Sequence, residues 1–123
     1  MPIDPTQPYD DNNIFARILR GELPSSKVYE DDQVLAFHDI APRSPTHILV
    51  IPKEHIASAA DLTEDDGRLL GRLFAATAQI ARDEGIAEAG YRLVSNVGRW
   101  GGQTVDHLHV HLMGGRAFEW PPG

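Results

Sequence analysis

Three histidines, His107, His109 and His111, alternate with Leu108, Val110 and Leu112. A period of two belongs to an extended chain, whose successive side chains point to opposite faces. The apolar residues then face a core while the imidazoles share the other face, roughly 6.6–7 Å apart along the strand. Glycine pairs, Gly101-Gly102 and Gly114-Gly115, bound the segment with permissive backbone. The chain has six histidines, so half of them fall within five residues, which composition alone does not explain.

Three readings fit such a cluster. The plainest is a solvated strand face, although such faces favour Thr, Lys and Glu over repeated His. The second is a zinc site: two imidazoles at i and i+2 can share one ion, with His47 as a further ligand and a position left open for a hydrolytic water. Asp106 is adjacent in sequence but points to the opposite face. The third is metal-free covalent catalysis, in which one imidazole attacks while the others fix its tautomer and hold the substrate. Like charges this close depress one another's proton affinity. With an ordinary pKa of about 6.5, at least one ring is then neutral near pH 7 and able to attack. A neutral imidazole beside a cationic one suits phosphoryl chemistry, one reaching phosphorus while the other donates to oxygen. Gly101-Gly102-Gln103-Thr104 adds backbone N–H groups, an amide and a hydroxyl, the parts of a phosphate cradle.

The scaffold that positions these groups must be small. A chain of 123 residues supports one domain with a core and is too short for two. Its 41% hydrophobic and 24% charged residues are an ordinary globular balance. A net charge of −7 argues against long nucleic acid, which needs basic surface, yet suits a single nucleotide held by dipoles and histidines. Zero cysteines leave no disulfide and no thiolate nucleophile, and fit a reducing cytoplasm. No apolar run approaches membrane-spanning length, and the start is rich in Pro and Asp, unlike a targeting leader.

Along the chain, residues 1–11 read as a flexible tail and 12–123 as the single domain. Asn12 or Asn13 caps a short helix running to about Arg20, with Ile14, Phe15, Ile18 and Leu19 as its apolar stripe and Gly21 as its stop. Lys27–Glu30 and Val34–Phe37 form a hairpin across Asp31-Asp32, and His47–Pro52 a third strand. Thr63 opens a long helix that ends before Gly85, with Leu69, Leu70, Leu73, Phe74, Ala76, Ile80 and Ala81 on one stripe. Within that stripe the hydroxyl of Thr77 can bond back to the carbonyl of Leu73. Tyr91–Asn96 is a fourth strand and the histidine segment a fifth. The expected fold is therefore α+β: about five antiparallel strands with one long and one short helix.

The segment His107-Leu108-His109-Val110-His111-Leu112-Met113 resembles the signature of the histidine triad (HIT) superfamily, in which three histidines alternate with apolar residues. Ile14-Phe15, Phe37-His38-Asp39-Ile40, Pro45-Thr46-His47, Val50-Ile51-Pro52-Lys53 and Trp120-Pro121-Pro122-Gly123 resemble its Hint branch, the histidine triad nucleotide-binding proteins, in order and without large gaps. The resemblance implies a homodimer with a sheet continued across two subunits. It also implies purine nucleotide binding with hydrolysis of nucleoside 5′-monophosphoramidates. Two other functions accompany it: hydrolysis of dinucleoside polyphosphates, and non-catalytic nucleotide binding. By the same resemblance His109 is the nucleophile. His47 hydrogen-bonds His107, the two set the orientation of His109, and His111 and Thr104 bind phosphoryl oxygens. Gln103 bounds the site and helps to place the reacting group. The nucleotide pocket comprises Ile14, Phe15, Ile18, Phe37, His38, Asp39, Ile40, Leu49, Asn96, Gly102, Gln103, Thr104, Val105, His109 and His111, with Asp39 on the ribose hydroxyls. Trp120 belongs to a tail that influences substrate choice at the partner's site. No metal or other cofactor is required. The chain departs from the family's usual residues at Val97, Arg99 and Trp100, and at Asp106, where an aromatic residue is common.

Overall fold

The computed structural model describes residues 8–123. Its centre is a five-stranded antiparallel sheet built from β1 (Lys27–Glu30), β2 (Val34–His38), β3 (Thr46–Pro52), β4 (Arg92–Val94) and β5 (Val110–Gly114), in the order β1-β2-β3-β5-β4. The short helix α1 (Ile14–Leu19) lies on one face and α2 (Gly67–Asp83) on the other. A third, four-residue helix, α3 (Gly98–Gly101), precedes the histidine segment.

The alternation within β2 and β3 divides the interior. Val34, Ala36, Ile48 and Val50 join Leu73, Ile80, Val110 and Leu112 beneath α2. Leu35, Phe37, Leu49 and Ile51 point the other way and meet Phe15 of α1. Both central strands are thus buried on both faces and read as near-continuous apolar runs. The pairings Phe37↔Leu49 and Leu49↔His111 carry one cross-strand row over β2, β3 and β5, which places His111 on the α1 face.

Several local expectations hold. Asn13 caps α1 by accepting from the Ala16 N–H at 2.8 Å. The Thr77 hydroxyl donates to the Leu73 carbonyl at 2.8 Å. Thr63 forms a reciprocal capping box with Asp66, but around a 3₁₀ turn, Glu64–Asp66, that feeds directly into α2.

Three boundaries differ. The fifth strand begins at Val110, not His107, because its neighbour β3 ends in Pro52, which has no N–H to extend the ladder. Beyond that point the Leu108 N–H donates to the Ile56 carbonyl at 2.6 Å, and the Pro52 carbonyl accepts from a histidine ring. β4 stops at Val94, after which the Ser95 hydroxyl donates to the His109 carbonyl at 2.8 Å in place of a ladder bond. The expected tail is docked at its inner end: the Asp10 N–H donates to the Asp106 carboxylate at 2.6 Å, and the Asn13 amide bridges the carbonyls of Asp10 and Asp106. Residues 1–7 of that tail lie outside the described residues.

Candidate active site

A cleft of about 680 Å³ opens on the α1 face of the sheet. Ile14, Phe15 and Ile18 of α1 form one wall, Phe37 and Leu49 the floor, and His38, Asp39 and Ile40 the rim after β2. Thr104, Val105, His109 and His111 close the far end. Twelve residues expected from the sequence therefore meet in one place. Leu23 to Ser26 also line the cleft, which the sequence pattern does not anticipate. Gly21 and Pro24 signal that the chain leaves the helix there, but not that it lines a pocket.

Other expected residues lie apart from the cleft surface. Gln103 is fully buried, its amide oxygen accepting from the Gly98 N–H and its nitrogen donating to the carbonyls of Ala57 and Val105. It holds α3 and the loop together and does not bound the cleft. Gly102 terminates α3 with φ +81°, a left-handed conformation suited to glycine. Asn96 is half-buried after β4 and does not line the cleft. Trp120 is largely exposed, in a tail that Arg92 holds by donating to the Glu119 carbonyl at 2.8 Å.

The expected bond between His47 and His107 is corrected. His47 Nε2 lies 2.8 Å from His111 Nδ1. Antiparallel pairing is the reason: with His47 opposite Met113 and Leu49 opposite His111, the start of β3 meets the end of β5. His107 therefore lies near the other end of β3, where its Nε2 contacts the Pro52 carbonyl at 2.8 Å.

The backbone partners decide where each imidazole hydrogen sits, because a carbonyl can only accept and an N–H can only donate. His107 donates from Nε2 to Pro52, so its Nδ1 is an acceptor, and the Tyr9 hydroxyl donates to it at 2.6 Å. His109 donates from Nδ1 to the His107 carbonyl at 2.7 Å, leaving a lone pair on Nε2. The Arg43 N–H donates to His47 Nδ1 at 3.0 Å, so His47 carries its hydrogen on Nε2 and gives it to His111 Nδ1. His111 is left with an Nε2–H. A lone pair on His109 and a donor on His111 thus meet in the cleft, their ring centroids 5.0 Å apart. An acceptor on one ring and a donor on the other are set by tautomer.

Charge is not needed for this, which revises the expectation of a neutral ring beside a cationic one. Burial pushes His107 down to about 4. Burial, then the neighbouring His109 and His47, brings His111 to about 4 as well. His109 and His47 are lowered by the same loss of solvent, opposed respectively by the His107 carbonyl and by Asp39. All four rings are neutral near pH 7.

Asp39, His47 and His111 are the one group among the described residues that could gather around a cation, with ligand atoms within 4.8 Å of one another. Within this group His47 Nε2 and His111 Nδ1 share a hydrogen bond at 2.8 Å. Two nitrogens on one tetrahedral zinc stand about 3.3 Å apart, so a cation would have to displace that proton and part the rings.

Comparison with known proteins bears on the same residues. The HIT domain family model matches residues 20–118. A HIT-like protein of Synechococcus elongatus, itself uncharacterised, is 53% identical over 113 residues, covering 92% of this chain and 98% of its own. The purine nucleoside phosphoramidase of Escherichia coli K12 is 51% identical over 106 residues, covering 86% and 89%. The crystal structure of a HIT family hydrolase from Legionella pneumophila superposes with a TM-score of 0.89 at 50% identity, over 91% of this chain and all of that one.

Proposed function

The chain belongs to the HIT family, and from that premise we propose that it is a metal-independent hydrolase of purine nucleoside 5′-monophosphoramidates. The observation that carries the reading is the paired tautomers at the base of the cleft, an open lone pair on His109 Nε2 beside an Nε2–H on His111. The apolar wall of Ile14, Phe15, Ile18, Phe37 and Leu49 suits a flat base, and Asp39 at the rim suits ribose hydroxyls. The similarity to the phosphoramidase of E. coli supports the same substrate class.

In the first step the lone pair of His109 Nε2 bonds to the α-phosphorus as the P–N bond breaks. The bond pair leaves with the amine nitrogen, which takes a proton from water, while His111 keeps its Nε2–H on a phosphoryl oxygen. His109 Nδ1–H remains on the His107 carbonyl and holds the ring in line throughout. In the second step the hydroxide left by that water bonds to phosphorus, the bond to His109 Nε2 breaks, and its electron pair returns to the ring. Thr104 and His111 hold the phosphoryl oxygens. Asn96, Gly102 and Gln103 support this site from behind, through the loop and helix that bound it. The working unit is a homodimer in the cytoplasm, joined along the open edge at β4, where Leu93 is exposed. Trp120 of one subunit would serve the partner's cleft.

The test is turnover of a fluorogenic adenosine phosphoramidate in EDTA. Wild type should turn over, and His109→Ala should lose on the order of 10⁴-fold in kcat with its fold intact. Activity lost in EDTA and restored by zinc overturns the metal-free route. Tight nucleotide binding without turnover overturns the enzyme in favour of a binding protein, and preference for dinucleoside polyphosphates overturns the substrate class.

A further inference from the structure

His107 does not reach the cleft, yet it is fully buried and both its ring nitrogens are engaged. One partner is local to the sheet, the Pro52 carbonyl. The other comes from the far end of the chain. Tyr9 places its hydroxyl 2.6 Å from His107 Nδ1 and stacks its ring on His55 with centroids 4.9 Å apart and planes 14° from parallel. It is itself fastened on its C-terminal side, where Asp10 and Asn13 bind the carboxylate and carbonyl of Asp106, the residue before His107. Asn13 also caps α1, the helix that walls the cleft.

We propose that Tyr9 is a positioning residue of the active site, holding the His107 ring so that the His107 carbonyl orients the nucleophile His109. The chain of contacts is short. Tyr9 O–H donates to His107 Nδ1, the His107 ring is held between that hydroxyl and Pro52, and the carbonyl of the same residue accepts from His109 Nδ1. Without the hydroxyl, a buried acceptor loses its donor and the ring is held from one side only. The carbonyl then has room to shift, and the Nε2 lone pair of His109 shifts with it. Small errors in the line of attack are costly, because rate depends steeply on the placement of reacting atoms. Asp106 completes the device: its carboxylate receives the Asp10 N–H and holds Tyr9 in register.

This inference rests on the proposed nucleophilic role of His109, and its test has an arm that does not. Tyr9→Phe keeps the stacked ring and removes only the hydroxyl. Nitrogen-15 spectra of histidine-labelled full-length protein should show His107 Nδ1 moving towards the value of a free imidazole acceptor, with a smaller shift at His109 Nδ1. Steady-state turnover should fall about tenfold in kcat, with KM within about twofold. Asp106→Asn retains an acceptor for Asp10 and should lie between wild type and Tyr9→Phe. Unchanged histidine spectra, or a kcat equal to wild type, overturn the proposal. A loss in KM alone also overturns it, since that marks a change in binding and not in alignment. Failure of the wild type to turn over any phosphoramidate sinks the functional reading by itself, and the spectra still decide whether Tyr9 holds His107 and His109.

Discussion

The two faces of this sheet are made by the same strands and serve opposite ends. Val34, Ala36, Ile48 and Val50 alternate with Leu35, Phe37, Leu49 and Ile51 along β2 and β3. Beneath the first set lies the 17-residue helix α2, long enough to cover the strands it crosses. Over the second lies α1, only six residues long, and the area it leaves uncovered is the cleft. β5 shows the contrast within two consecutive residues: Leu112 is buried under α2 while His111 faces the open side. A difference in covering helix length thus separates a face that holds the fold from one that can do chemistry.

The largest test of that division is Leu112→Ala. It should cost about 2–5 kcal/mol in denaturant unfolding while leaving kcat per folded molecule unchanged. A large loss of kcat without loss of stability would show that the faces are not separable. Next is acid. His107 is neutral in the fold with a pKa of about 4, against about 6.5 when unfolded. Above pH 6.5 neither state takes a proton there. Between 6.5 and 4 only the unfolded chain does, so stability falls across that window and His107 adds no further loss below it. For His107 the loss is about 3 kcal/mol, and the lowered His111, His109 and His47 act in the same direction. Urea midpoints at stepped pH should show this slope in wild type and, displaced but parallel, in Leu112→Ala, since the apolar face has no group that titrates there. The smallest effect is expected at Gly114, where a new Cβ would sit 2.6 Å from Ile86 Cδ1. Ile86 Cβ and Cγ2 would lie 3.1 Å away as well, so this β-branched side chain must shift as a whole, and Gly114→Ala should cost about 1–3 kcal/mol in unfolding free energy, again with kcat retained.

What could be read from the chain beforehand follows the range of the forces involved. Asn13, Thr77 and the reciprocal pair Thr63 and Asp66 act within four residues of themselves, and local pattern reveals such bonds. The cleft residues came largely from resemblance, which carries tertiary information that composition and spacing lack. His47 was matched to the wrong histidine because strand register is a property of two segments: nothing in either one says that β3 and β5 pair with Leu49 opposite His111. Tyr9 was missed for the same reason at greater distance, with 98 positions separating it from His107. Its surroundings, rich in Pro and Asp, read as a tail because nothing local gives them a surface to bury. The three boundaries that moved were set by partners too. Pro52 cut short a strand it does not belong to.

The orientation of His109 is entrusted to a group that no substitution can delete. Its Nδ1 hydrogen bonds to the main-chain oxygen of residue 107, and every amino acid supplies that oxygen. Genetic change at position 107 can misplace the acceptor but cannot remove it. Variants there should therefore form a graded series of rates instead of splitting into active and dead. A catalytic ring anchored in this way is buffered against mutation at its neighbour, and the surrounding sequence is freer to drift while the chemistry persists.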